Sequence, residues 1–375
     1  MKRLLYLCPI FFDGNFISGV EKKVSYQCDC FSKHFLVFLL CYDNKGIVIV
    51  DWSSNSKTYL SKNTGGRNVL RNVSRIQGFY DCVYIRYPLC SLGFIKALRF
   101  LNKISNKICV EIATYPYESE LKKGLMNKVM LLLDRFYRNK MRHYVDRIVT
   151  FSTDKIIYKI KTIQTRNGVD YLVVKKAPYI KTNALHLIAV SSVYYLHGYD
   201  RIIKGLFSYN KLGNQPEVIF DVVGEGPYLN YYKTLVNELG LQKCVIFHGK
   251  RNGSDLDDLY AKAIAAVNSL AIHRENLKNE STIKSKEYAA KGLPIISSSF
   301  VDAFSEQDNK KFVLRVSETD DDISIEEIVS FLNILYKNHD ASFVREIIRN
   351  KSSKVSDINV VLKPIIDYFK DGSNK

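Results

Sequence analysis

The run Glu217-Val218-Ile219-Phe220-Asp221-Val222-Val223-Gly224-Glu225-Gly226-Pro227 decides the architecture. Its first seven residues are rich in β-branched and apolar side chains and read as a buried strand. The glycines turn the chain, and Pro227 suits the first position of the helix whose period continues over 228–239. A strand apolar along its length, rather than on alternate residues, belongs to a parallel sheet covered on both faces. Glycine at 224 and 226 either lets a bound molecule approach the backbone or only turns the chain.

The same strand, turn and helix alternation runs through the sequence. Strands are predicted at 4–12, 34–41, 47–50, 82–86, 107–112 and 147–151, then at 186–190, 217–223, 245–247, 265–269 and 293–297. Helical segments are predicted at 20–32, 92–101, 120–144, 228–239, 283–291 and 323–335. The pattern occurs twice, on either side of a less regular stretch at 175–183. This predicts an α/β protein of two doubly wound, Rossmann-like domains facing across a cleft, with ligands at the strand carboxyl ends. The expected divisions are 1–178, a first Rossmann-like domain; 179–355, a second Rossmann-like domain; and 356–375, a C-terminal helix packing back toward the first.

Charge divides along the same line. The 375 residues carry a formal net charge of +17. Residues 1–180 hold 30 Lys+Arg against 13 Asp+Glu, whereas residues 181–375 hold 25 of each. The first half therefore faces something anionic. With 46% apolar residues and no repeat or low-complexity tract, the chain builds large cores. The apolar start at 4–12 lacks a cleavage site and reads as a first strand, and no run approaches a membrane span. The eight cysteines, without Cys-x-x-Cys pairs, read as reduced core thiols in a cytosolic protein with no metal site.

Two further local constellations carry chemistry. Ser18-Gly19-Val20-Glu21 places Gly19 at the start of the first helix, where N–H groups and the helix dipole can hold a phosphate or sugar oxygen; a plain turn glycine is the other reading. No Gly-x-Gly-x-x-Gly or Walker-type loop is present, which argues against a nicotinamide dehydrogenase and a phosphate-loop NTPase. In Ser281-Thr282-Ile283-Lys284-Ser285-Lys286-Glu287-Tyr288-Ala289-Ala290-Lys291-Gly292-Leu293-Pro294, Ser281 or Thr282 caps a helix that ends at Gly292. Lys284 and Glu287 share one face. A cation and N–H groups suit a diphosphate and a carboxylate one turn deeper suits a ribose, although an ordinary capped surface helix has the same pattern.

This stretch resembles the Ser-x-x-Lys-x-x-Glu-Tyr-x-Ala-x-Gly-x-Pro segment of bacterial glycosyltransferases of the large retaining family 4, which have the GT-B architecture. Other segments match in order: Ser18 to Lys23, Asn167-Gly168-Val169-Asp170, His197 to Ile203, Val223 to Pro227 and Val245 to Gly249. Glu111-Ile112-Ala113-Thr114-Tyr115-Pro116-Tyr117 is similar to a branch acting in capsule or exopolysaccharide assembly.

The resemblance implies retaining, metal-independent transfer of a hexose-type sugar from a nucleotide sugar, UDP- or GDP-linked, to a lipid-linked saccharide acceptor, with no cofactor, and makes 1–178 the acceptor-binding domain and 179–355 the nucleotide-sugar-binding domain. It assigns catalytic positions to Lys284, Glu287, Asn279 and Glu280. Asn279 stands where the family has the first glutamate of its Glu-x7-Glu motif. Donor contacts fall on Gly19, Ser191, His197, Gly198, Arg201, Gly224, Glu225, Gly226, Ser281, Thr282 and Ile283. Ser191 and His197 replace the family's usual arginine and lysine, so Lys284 or Arg201 would have to supply the missing charge, and His197 is either a phosphate neighbour or a structural histidine. Thr114, Tyr117, Glu118 and Glu120 are the acceptor-side candidates, the two glutamates being equally readable as solvated charges.

Residues 91–165 carry 15 Lys+Arg and 6 Asp+Glu, with an apolar stripe through 125–133. Such a helix either lies on anionic lipid or packs Leu131 to Leu133 into the core. Given a lipid-linked acceptor, the expected partner is an anionic membrane surface, and the place the inner face of the cytoplasmic membrane, in lipopolysaccharide, capsule or other cell-surface polysaccharide synthesis. No nucleic-acid motif appears, so nucleic acid is not an expected partner. The rival readings are a GT-B nucleotide-sugar epimerase or hydrolase and a non-catalytic nucleotide- or nucleic-acid-binding protein.

Overall fold

The computed structural model describes residues 1–14, 18–118, 124–275 and 281–371. The chain forms two compact units, residues 1–167 with 358–375, and residues 168–357.

In the first unit the strands are β1 (Arg3–Phe11), β2 (Leu36–Asp43), β3 (Gly46–Asp51), β4 (Ser56–Ser61), β5 (Tyr80–Arg86), β6 (Ser105–Ile112), β7 (Arg147–Thr150), β8 (Ile156–Ile157) and β9 (Ile160–Gln164). They lie in the order β4-β3-β2-β1-β5-β6-β7-β9-β8. From β2 through β1, β5, β6 and β7 to β9 the pairing is parallel. The edge differs from the all-parallel expectation: β3 and β4 are antiparallel additions. Asn44 and Lys45 alone join β2 to β3, too short a link for a crossover and long enough for a hairpin. The side chains of Leu5, Leu7, Val83 and Ile85 enter one core with Phe94 and Leu98 of helix Leu92–Leu101. On Tyr6 and Tyr84, one position out of step, packs Phe31 from helix Gly19–Ser32. The final helix, Ile358–Lys370, belongs to this unit, where Lys107 Nζ donates to the carbonyls of Tyr368 at 2.8 Å and Asp371 at 2.6 Å.

The second unit has β10 (Leu185–Val190), β11 (Val218–Val223), β12 (Val245–Gly249), β13 (Ala263–Val267), β14 (Ile295–Ser297) and β15 (Val313–Arg315). All are parallel, in the order β12-β11-β10-β13-β14-β15. Numbered from its own first strand this is 3-2-1-4-5-6, the doubly wound order whose ligand crevice opens where the winding reverses, at the carboxyl ends of β10 and β13. Leu187 and Ala189 face one core with Tyr199, Tyr232 and Ile328, and Ile188 faces a second with Tyr288, Val344 and Ile348. Covering on both faces is why these strands are continuously apolar.

None of the eight cysteines is in a disulfide, and all but Cys244 are buried. Among the described residues no helix is long and apolar enough to cross a membrane.

Candidate functional site

The crevice of the second unit is built from four segments. Val190 ends β10, and the following loop is fastened to the loop after β11: Ser191 N donates to the Val223 carbonyl at 3.0 Å, and Val193 N to that of Glu225 at 2.9 Å. Gly224 has φ +125°, and a Cβ there would lie 2.0 Å from the Ser191 carbonyl oxygen; one at Gly226 would lie 2.3 Å from that of Val193. The glycines are thus required by the chain's own close approach, an alternative to the two readings that the sequence left open. Glu225 points to solvent, 3.6 Å from exposed Lys250.

A short turn, Tyr195–His197, then leads through Gly198 into helix Tyr199–Asn210. His197 is 6% exposed, and its ring stacks on Tyr199 at 5.4 Å. Its Nδ1 accepts from Tyr194 N at 3.0 Å, which leaves the proton on Nε2. Burial, with the charge of Lys284 adding to it, holds the imidazole well below its usual pKa and therefore neutral at pH 7. The carbonyl of His197 accepts from Leu270 N at 3.0 Å, which ties the turn to the segment leaving β13. Gly198 fits there because a Cβ would meet that of Ala271 at 2.7 Å.

The third and fourth segments meet at Lys284. Helix Ile283–Lys291 is capped by Thr282, whose side chain accepts from Ser285 N, and stops at Gly292 with φ +85°. From its first turn Lys284 Nζ donates to Ser269 Oγ at 3.0 Å, just past the end of β13. Ser281 Oγ donates to Asp302 Oδ2 at 2.6 Å and accepts from buried Lys286 Nζ at 3.0 Å, and Lys286 also pairs with Asp302, bracing the helix start. Ser191, His197, Gly198, Ser269 and Lys284 are therefore gathered about the crevice. Glu287 is partly buried three residues beyond Lys284. Asn279 and Glu280 lie outside the described residues.

Arg201 is placed differently from the expectation of a diphosphate ligand. It is 1% exposed, and its guanidinium donates to the carbonyls of Asp321 at 2.7 Å, Ser317 at 3.0 Å and Leu270, and to Ser317 Oγ at 2.9 Å. Its donors are committed to backbone carbonyls and the Ser317 hydroxyl, so it braces the loops and is not a cation offered to a ligand.

Sequence reasoning missed the polar residues that finish the crevice. Asn268, Ser269, Ser297, Ser298 and Ser299 are all buried. Asn268 Nδ2 donates to Ser297 Oγ at 3.1 Å, and Ser298 N to the Ser269 carbonyl at 3.0 Å. The run of serines following an apolar strand was the available signal. Arg274 was also missed: it forks onto Asp200 at 2.8 and 2.9 Å and lies over the Tyr195 ring at 4.4 Å, fixing the turn before helix Tyr199–Asn210.

The remaining candidates are in the first unit. Gly19 opens helix Gly19–Ser32, whose start is closed by a reciprocal cap between Ser18 and Glu21. Thr114 and Tyr117 line a cavity of about 200 Å³ at the ends of β5 and β6. The Tyr117 hydroxyl, however, donates to fully buried Asp134 at 2.6 Å. Glu118 pairs with Arg135 at 2.5 Å and Arg138 at 2.7 Å, and the hydrogen bonds from these guanidinium groups hold its carboxyl down at about 2. Tyr117 and Glu118 thus fasten the loop to helix Leu125–Tyr137, leaving Thr114 as the exposed one of the three. Glu120 lies outside the described residues.

No curated protein matches the chain significantly. Residues 173–333 match the family model for glycosyl transferases, group 1. Among solved structures, a glycosyltransferase from Rickettsia africae is similar over 98% of both chains, with 14% identity and a TM-score of 0.64. Sucrose-phosphate synthase from Thermosynechococcus elongatus is similar over 98% of both, with 10% identity and a TM-score of 0.68. HepE of Anabaena, in complex with UDP and glucose, is covered over 100% of its chain by 99% of this one, with 14% identity and a TM-score of 0.61. Residues 173–333 are thus similar to group 1 glycosyl transferases, and the chain as a whole has the GT-B fold of two parallel-sheet, Rossmann-like domains.

Proposed function

We propose that the protein is a retaining glycosyltransferase that moves a hexose-type sugar from a nucleotide sugar, UDP- or GDP-linked, to a lipid-linked saccharide in cell-surface polysaccharide synthesis. The observation that carries this reading is the gathering of Ser191, His197, Ser269 and Lys284 at the winding reversal of the second sheet, within the segment similar to group 1 glycosyl transferases. In this reading the diphosphate sits against Lys284 and the start of helix Ile283–Lys291, where an ammonium and the helix dipole stabilise the charge that develops as the glycosidic bond breaks. Neutral His197 adds an Nε2–H donor and no second charge, and Glu287 takes the ribose hydroxyls. Transfer needs no metal here, because a diphosphate oxygen can receive the acceptor's proton.

The acceptor is assigned to the first unit and the protein to an anionic membrane surface, the inner face of the cytoplasmic membrane. Support comes from helix Leu125–Tyr137, on which Leu125, Met126, Val129, Leu132, Leu133 and Phe136 are each at least 45% exposed. Leu131 alone of the three consecutive leucines is buried, so the stripe is not core. Exposed Lys128, Arg135 and Lys140 accompany it, as on a helix lying in a lipid headgroup layer.

The test is a thermal-shift titration of the full chain with UDP, GDP, ADP and dTDP and their sugars. A ligand at 100 times its Kd adds about 2.7 kcal/mol to stability. The donor so identified is then given to membrane-extracted lipid-linked saccharides, and the product's anomeric configuration is read by NMR. Absence of any nucleotide-dependent shift overturns the reading, and release of free sugar without transfer replaces it with a hydrolase or epimerase.

A further inference from the structure

The cavity at the ends of β5 and β6 is bordered by charge. Glu111, 2% exposed, accepts three hydrogen bonds: its Oε1 from Lys23 Nζ at 2.6 Å, and its Oε2 from Gln27 Nε2 at 2.8 Å and Tyr84 OH at 2.6 Å. Arg86, which lines the same cavity, stands 3.6 Å from Glu111 Oε1. That is an ion pair without a hydrogen bond. Its Nη1 is buried and has no hydrogen-bond partner among the described residues. Two cations therefore face one carboxylate, and the second, Arg86, whose side chain is 27% exposed, keeps one buried donor nitrogen, Nη1, without an acceptor among the described residues. A buried donor left in this state is costly, and two oxygens of one oxyanion satisfy it bidentately.

The other lining groups define the site by what they withhold. The hydroxyls of Tyr87 and Tyr117 are both committed to Asp134. Thr114, at the rim, is exposed. A volume of about 200 Å³ is below that of a typical small-molecule pocket, so the cavity suits one substituent of a larger ligand.

We propose that Arg86, with the Thr114 hydroxyl at the rim, forms an oxyanion subsite that takes a phosphate or carboxylate group carried by the acceptor. The acceptor assignment rests on the transferase reading above; the anion site itself does not.

The test is calorimetric titration of the full chain with inorganic phosphate and with glucuronate, in the presence of saturating UDP, on the wild type, Arg86→Gln and Lys284→Ala. At least one probe is expected to bind the wild type. Arg86→Gln should weaken that binding by roughly tenfold or more, through loss of a charge-assisted pair, while Lys284→Ala leaves it essentially unchanged. Phosphate binding alone identifies a phosphorylated acceptor, and glucuronate binding alone an acidic saccharide. If Arg86→Gln fails to fold, Arg86→Lys keeps the charge without the fork and should weaken binding severalfold, as should Thr114→Val. Binding of neither probe, or equal binding by wild type and the Arg86 variants, overturns the subsite. Probe binding that depends on Arg86, in a protein that ignores UDP, refutes the transferase reading and leaves the subsite standing.

Discussion

Lys23 Nζ and Glu111 Oε1 meet at 2.6 Å, with side chains 8% and 1% exposed, where helix Gly19–Ser32 crosses β6. An ion pair so buried is a poor source of net stability but a severe loss when halved, because the remaining charge has no water to turn to. Lys23→Met should therefore destabilise the first unit by about 3–5 kcal/mol. Chemical denaturation monitored in that unit measures it, and a loss below about 1 kcal/mol would show that Arg86 and Tyr84 suffice to hold Glu111.

The same carboxylate predicts an acid limb. Although burial opposes ionisation, the charges of Lys23 and Arg86 hold Glu111 down at about 2, against about 4.5 when unfolded. A lowered carboxylate contributes stability that is complete above pH 4.5 and is lost as pH falls toward 2. Denaturation midpoints between pH 6 and pH 3 should fall for the wild type, and fall less steeply for Glu111→Gln.

Gly224→Ala should cost about 3 kcal/mol or more, since the new Cβ meets the Ser191 carbonyl and the backbone is left-handed. Gly240→Ala is the control: its φ is +67°, but nothing lies within 4 Å, so about 1 kcal/mol is expected. Equal losses at the two positions would remove the argument that loop contact, and not φ, makes glycine necessary after β11.

These cases show which parts of the molecule the residues declare. Leu187 to Val190 and Val218 to Val223 are apolar on consecutive positions, so their parallel, doubly covered sheet can be read directly. Ser56 to Ser61 form β4 at an exposed edge, where no side-chain pattern marks a strand. Lys284 was legible because its spacing from Thr282 and Glu287 is local. Ser269 was not, since its place beside Lys284 is made by a chain contact 15 residues apart and a serine carries no periodic signal. Arg201 misled for the same reason: it looks like a cation at a helix start, but the carbonyls that consume it lie 69 to 120 residues away.

That contrast separates two variants of one charge type. Lys284→Ala should weaken UDP binding roughly 10- to 100-fold, the worth of a charged hydrogen bond, with little change in melting temperature. Arg201→Met should do the reverse, lowering the melting temperature sharply because several buried carbonyls lose their donor. A titration and a melt on each variant decide it, and strong UDP loss without destabilisation in Arg201→Met would return that residue to the binding site.

Leu132 and Phe136, one turn apart and 64% and 67% exposed, test the membrane assignment without touching the core. Replacing both by serine should change folding stability by no more than about 0.5 kcal/mol, as surface substitutions do. Each removes exposed apolar area at about 25 cal/mol per Å², so on the membrane proposal the double variant should bind anionic vesicles far more weakly. Flotation with phosphatidylglycerol vesicles is the measurement, with neutral vesicles and high salt as companions, because the basic residues around the stripe make its attraction salt-sensitive. Undiminished flotation of the double variant, or flotation of the wild type indifferent to anionic lipid, would assign the stripe to a protein partner instead.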